Sequence, residues 1–129
     1  MIVDSSALVA ILLQENGFRV FSRAIADAQT KRVAAPTLLE ATMVMVGRKQ
    51  EGGPALLDDL LRAAQIETIP FTSDHAAIAR DAFLRYGKGR HRAGLNFGDC
   101  IAYATARLEM MPLLFKGDDF RHTDIEAAV

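Results

Sequence analysis

The chain has 129 residues, a single cysteine and a formal net charge of −1. That length suits one domain burying its own core, and the half-hydrophobic, quarter-charged composition excludes a disordered chain. The near-neutral charge excludes a broadly basic nucleic-acid binder, so any basic surface must be local; the lone Cys100 excludes an internal disulfide or a multi-thiolate zinc site.

In chain order, Ile2-Val3 is a short apolar run ending at Asp4 and reads as a brief buried strand. Ser5 or Ser6 is the expected cap of a helix through Leu13. Asn16-Gly17 breaks it, and a second helix carries Phe18, Phe21 and Ile25 on one face. Lys31 to Ala35 reads as a second strand. Pro36 fits the first turn of a third helix, Thr37 to about Lys49. Gly52-Gly53-Pro54 breaks the chain before the amphipathic segment Ala55 to Ala64. Ile66 to Phe71 suggests a third strand. Ser73 or Asp74 is expected to cap a helix ending near Tyr86-Gly87. A Gly- and Arg-rich loop, read as flexible, covers Gly87 to Gly94. Asn96 is placed as the cap of a helix through Cys100, Ile101, Tyr103 and Ala104. Pro112 leads into a fourth strand, Leu113 to Phe115, with a turn at Lys116 to Asp119. Ile125 to Val129 reads as an edge strand or a loose end.

Strands alternate with helices, which predicts an α/β fold with a mostly parallel four- to five-stranded sheet flanked by helices, in one domain over residues 1–129. Met1-Ile2-Val3-Asp4 lacks the basic region and cleavage site of a signal peptide, and Ala7 to Leu13 is too short to span a bilayer. A cytoplasmic location with no membrane association is expected.

The acids carry the chemical signal. Asp4 is the only charged residue from Ile2 to Leu13, Glu40 the only one from Val33 to Val46, and Asp99 the only one from Leu95 to Ala106. Asp118 and Asp119 follow the uncharged run Met110 to Phe115. Burying a lone carboxylate costs several kcal/mol unless a partner or a metal compensates. Asp4 and Asp118/Asp119 fall just beyond predicted parallel strands, where open α/β sheets bind ligands. Asp4 and Asp99 each also suit a helix cap, and Asp118-Asp119 an ordinary turn, whereas Glu40 lies within an apolar helix where no cap is needed. Asp58-Asp59 is the contrasting case, two acids on a solvated helix face. An oxygen-only pocket favours Mg²⁺ or Mn²⁺, ions that promote in-line phosphoryl displacement.

These residues resemble a known family. Ile2-Val3-Asp4-Ser5-Ser6-Ala7-Leu8, Pro36 to Ala41 around Glu40, Tyr86 to Cys100 with Asn96-Phe97-Gly98-Asp99, and Leu113 to Phe120 with Thr123-Asp124-Ile125 are similar, in order, to PIN-domain ribonucleases, and more closely to the VapC toxins of bacterial toxin–antitoxin systems. The resemblance implies a PIN-like fold and Mg²⁺-dependent (or Mn²⁺-dependent) endoribonuclease activity. It also implies a cognate VapB antitoxin and a homodimer through the early helices. It carries the family's catalytic acids onto Asp4, Glu40 and Asp99. The fourth falls on Asp119, the residue before Phe120, with the adjacent Asp118 as the alternative. Asp4, Asp99 and Asp119 are then the metal ligands, and Glu40 ligates or orients and deprotonates the attacking water.

Arg85, Lys88, Arg90 and Arg92, with His91 among them, form a basic cluster suited to RNA phosphates. His91 as a general acid and Tyr86 as a base-stacking ring are lesser readings beside bystander and core roles, and Cys100 reads as a small buried apolar group. Two other functions compete. One is a catalytically silent PIN-like module that binds RNA or a partner. The other is a receiver-type phosphoacceptor domain, which needs an acid pair after the first strand and an Asp after a central strand.

Overall fold

The computed structural model describes residues 1–48 and 51–129. It contains β1 (Ile2–Val3), α1 (Ser5–Leu12), α2 (Phe18–Asp27), β2 (Arg32–Ala34), α3 (Ala35–Gly47), α4 (Gly53–Ala64), β3 (Glu67–Ile69), α5 (Ser73–Tyr86), α6 (Phe97–Glu109) and β4 (Leu113–Leu114), followed by a 3-10 turn at Asp119–His122. The four strands form one sheet in the order β3-β2-β1-β4, and every pairing is parallel. The predicted α/β class is therefore the observed one. The predicted helix end at Lys49 lies outside the described residues.

The two-residue strands β1 and β4 are buried on both faces. Ile2 and Leu113 point into a core with Leu95, Tyr103, Phe115 and Phe120. Val3, Val33 and Leu114 point the other way, into a core with Leu8, Met45, Leu57 and Leu61. Period-two alternation thus splits each two-residue strand between two cores. The chain steps from β1 outward to β2 and β3, then returns across the sheet to β4 beside β1. The carboxyl ends of β1 and β4 meet where the strand order reverses, the usual place for a crevice in such sheets.

Several boundaries differ from expectation for local reasons. The cap of α1 is Asp4 rather than Ser5 or Ser6: Ser6 N donates to Asp4 Oδ2 at 3.0 Å. The helix starts directly after the strand, so the one residue between them must cap. α5 is capped by Thr72 rather than Ser73 or Asp74, and His75 Nδ1 reciprocates by accepting from Thr72 N at 3.0 Å. β2 stops at Ala34 because α3 begins at once, and β3 stops at Ile69, before Pro70. α4 takes Gly53 and Pro54 into its first turn, behind a left-handed Gly52.

The loop from Gly87 to Gly94 is closed rather than free. Gly87 and Leu95 form a parallel bridge, with Lys88 N donating to Leu95 O and Leu95 N to Tyr86 O, each at 3.0 Å. Arg90 and His91 both donate their backbone N–H to Gly87 O. His91 Nδ1 accepts from Ala93 N at 3.1 Å, and the His91 ring stands edge-on to Tyr86. Both side chains are therefore built into the loop and the core beneath it. Cys100 is buried, and burial pushes its thiol up to about 11, as suits an inert apolar group.

The C-terminal segment returns to the sheet. Leu113 N donates to Glu126 O and Ala128 N donates to Leu113 O, each at 2.9 Å, so Ala127 bridges the outer side of β4. Asp124 ties this segment to α6 by accepting from the buried Tyr103 hydroxyl at 2.6 Å. Tyr103→Phe removes that charge-assisted bond and is expected to lower the unfolding free energy by about 1–3 kcal/mol in urea titration.

Candidate functional site

Asp4 leaves β1 and is 3% exposed. Its Oδ2 accepts from the Ser6 backbone and from the Ser6 hydroxyl, and Ser6 Oγ accepts in turn from Lys116 N at 2.9 Å. The loop after β4 is therefore tied to the end of β1 through one serine. Burial pushes Asp4 up to about 6 against the pull of these donors, and the charge of Glu40 adds to the rise.

Asp99 is the third residue of α6 and shares a reciprocal cap with Asn96. Asp99 N donates to Asn96 Oδ1, and Asn96 N donates to Asp99 Oδ2, both at 2.9 Å. Partial burial pushes Asp99 up to about 6 despite that bond, and the charges of Asp4 and Asp119 raise it further. Glu40 reaches the same place from α3. Its pKa is raised by burial and by the charge of Asp99, and the Ser5 hydroxyl offsets part of the rise. Among the described residues, Glu40 Oε2 is buried without a hydrogen-bond partner.

Each of these acids thus feels another: Glu40 raises Asp4, Asp99 raises Glu40, and Asp4 and Asp119 raise Asp99. Asp118 is outside this circle. Its side chain is exposed and lies 3.6 Å from the Arg121 guanidinium. Of the two adjacent acids, Asp119 is the one whose charge reaches the pocket.

The predicted basic residues divide. Arg85 is turned away: it pairs with Asp81 and Asp124 at 3.5 Å, lies over the Tyr86 ring and donates to the Tyr86 hydroxyl at 2.9 Å. Arg90 Nε donates to Leu84 O at 3.2 Å, with its side chain on the surface. Lys88 and Arg92 are exposed on the closed loop that leads into α6. Three neighbours were not singled out from the sequence. Ser6 was seen only as a possible cap, although an Asp with a hydroxyl two residues on is a recognisable turn signal. Phe97 stands 84% exposed at the head of α6. Gly98 lies against Glu40.

Among the described residues, no three His, Cys, Asp or Glu side chains are gathered around one point as a metal site. Asp4 Oδ2 and Asp99 Oδ2 face the donors of their own caps. The donor set still fits a hard divalent cation. It consists of carboxylates alone, and Glu40 Oε2 is a buried acceptor with no donor to satisfy it.

A family model described as the PIN domain matches residues 1–126. A protein named Ribonuclease VapC from Mycolicibacterium smegmatis is 45% identical over 127 residues, covering 98% of each chain. Ribonuclease VapC30 from Mycobacterium tuberculosis is 43% identical over 125 residues, covering 97% of this chain and 95% of its own. Among solved structures, Mycobacterium tuberculosis VapC20, described as a sarcin-ricin loop cleaving toxin, superposes with a TM-score of 0.77 at 15% identity over 96% of this chain and 95% of that one. A toxin–antitoxin complex from Klebsiella pneumoniae gives 0.69 at 21% identity, over 95% and 92%. At those identities the two structures speak for the fold.

The raised acids make stability depend on pH. Between 3.8 and about 6 the folded chain keeps a proton on Asp4 that the unfolded chain has released. Stability therefore falls as pH rises through that window, and the cost is complete above about 6. Asp4→Asn can still cap but cannot ionise. In chelator at neutral pH it is expected to exceed wild type in unfolding free energy by on the order of 1–3 kcal/mol. Urea titrations should show the gap closing towards pH 4; a gap that widens there contradicts burial as the cause.

Proposed function

The chain belongs to the PIN-domain family, and we propose that residues 1–129 form one PIN domain that hydrolyses RNA phosphodiesters at the pocket of Asp4, Glu40, Asp99 and Asp119. It is a ribonuclease of the VapC kind, the toxin of a toxin–antitoxin pair. The observation that carries the site is the convergence of Asp4 after β1, Glu40 on α3 and Asp99 on α6, each raised by burial and by a neighbour's charge, with Glu40 Oε2 buried and unpartnered among the described residues.

The family depends on divalent metal, and Mg²⁺ is the ion this reading assigns, with Mn²⁺ as a substitute. Asp4 and Asp99 would hold it and Asp119 would complete the set. When bound, the ion supplies positive charge that acidifies water and neutralises charge developing on the phosphate. Glu40 has the role of proton acceptor: its pKa is raised by burial, and Oε2 has no competing donor. Ser6 holds Asp4 and, through Lys116 N, keeps the Asp119 loop against it. Lys88, Arg90 and Arg92 draw in the polyanion from the loop beside α6, whereas Arg85 serves that loop from below by ordering Tyr86.

The partners in this reading are RNA as substrate, a VapB-type antitoxin and a second copy of the chain. The exposed row Leu39, Met43 and Val46 on α3 offers apolar surface for pairing. A cytoplasmic location goes with that partner set; among the described residues no helix is long and apolar enough to cross a membrane. A receiver-type function has no support: β1 is followed by a single acid, and β3 leads into Pro70 and Phe71.

Cleavage mapping on total RNA tests the reading. Purified wild type should cut with Mg²⁺ or Mn²⁺ and stop when chelator is added, and Asp4→Asn should be silent while remaining folded. Metal-dependent cleavage by Asp4→Asn would overturn the site, and a silent wild type would favour a binding module. Lys88→Ala and Arg92→Ala should each weaken RNA binding evenly across sequences. Each should also reduce the salt dependence, log Kd against log salt, by about one unit or less.

A further inference from the structure

Glu40 comes from the middle of α3, yet its carboxylate lies against the first turn of α6. Gly98, the second residue of α6, is buried there. A Cβ built on Gly98 would stand 2.5 Å from Glu40 Oε2 and closer still to Oε1. No side chain larger than hydrogen fits while Glu40 keeps this position. The atoms in the way are the far end of a flexible side chain, so the fold has an inexpensive escape: Glu40 swings out and α6 stays. The three atoms nearest that Cβ all belong to Glu40, and Gly98 lies within a regular helix, where glycine is a weak choice beside alanine. Gly47, in α3, meets nothing within 4 Å of the same built atom and serves as a control. The buried Ser5 hydroxyl faces the Glu40 carboxylate from α1, so the group is confined from two helices besides its own.

We propose that Gly98 is a positioning residue: the side chain it lacks is the space that seats the Glu40 carboxylate and holds it beside Asp99. The role extends the proposed function, on which its catalytic consequence rests. α6 then contributes twice within one turn, with Asp99 as its own carboxylate and with the recess that admits a second one from α3.

The test is a double-substitution cycle in the full-length chain with Gly98→Ala, Glu40→Ala and the pair, and Gly47→Ala as control. Each is measured for unfolding midpoint in urea and for kcat and KM on a single-stranded oligoribonucleotide with Mn²⁺. Gly98→Ala should fold with a midpoint at or above wild type, lower kcat by about tenfold to a hundredfold, and leave KM within about twofold because the Lys88–Arg92 loop is untouched. In the Glu40→Ala background the same substitution should change kcat no further, and its effect on the midpoint should differ from that in wild type. Gly47→Ala should keep full kcat. Unchanged kcat in Gly98→Ala, or equal effects of Gly98→Ala on both readouts with and without Glu40, overturns the proposal. A wild type that cuts no RNA instead defeats the functional reading, and non-additive urea midpoints still report the Gly98–Glu40 contact.

Discussion

Asp4 is a carboxyl group buried at the single residue between β1 and α1, and most of the local architecture answers that constraint. β1 is two residues long and runs straight into α1, with no room for a separate cap. The carboxylate therefore caps the helix itself, and Ser6 gives it both a backbone and a hydroxyl donor. Those bonds lower its pKa, yet burial outweighs them. The balance leaves a group that is anchored but not neutralised. Glu40, crowded into the same low-dielectric region, makes its ionisation harder still, and Asp4 in turn raises Asp99. The fold holds together a set of charges that would separate if the surrounding helices allowed it, at a cost to stability.

The fold was largely readable from the sequence because periodicity and breakers agree. Gly17, Gly52 and Pro70 fall at element ends, and short apolar runs mark β1 and β4. The errors were confined to junctions. A strand running straight into a helix, as at Val3-Asp4-Ser5 and Ala34-Ala35, leaves no separate punctuation. Which of several polar residues caps a helix then depends on where the strand stops, which is set by tertiary pairing. The isolated acids drew attention to the pocket because apolar segments seldom carry a lone charge. Asp118 and Asp119 could not be told apart in the sequence, since adjacent residues in a turn differ only in direction; in the structure Asp118 pairs with Arg121 while the charge of Asp119 acts on Asp99.

The basic loop shows the opposite failure. Glycine and arginine content suggested mobility, but Gly89 and Gly94 take left-handed conformations that close the loop on itself. Composition cannot distinguish glycines that loosen a chain from glycines that permit a tight turn. Nor could it tell that Arg85, adjacent in sequence to the other cations, belongs to a different assembly with Tyr103 and Asp124. Two of the basic side chains hold structure and two stand free in solvent on a rigid base, an arrangement that favours a fixed presentation of charge over an adaptive one.

The return of the last residues to β4 limits how the molecule can meet others. Leu113 spends both of its outward backbone groups on Glu126 and Ala128, so no foreign strand can extend the sheet on that side. The opposite margin, β3, is three residues long, and Glu67 on it is engaged by Arg32. A margin that short gives strand addition little to build on. Recognition of another polypeptide is therefore expected to rest mainly on side chains of the helices, where specificity is written in shape and charge rather than in a generic backbone ladder.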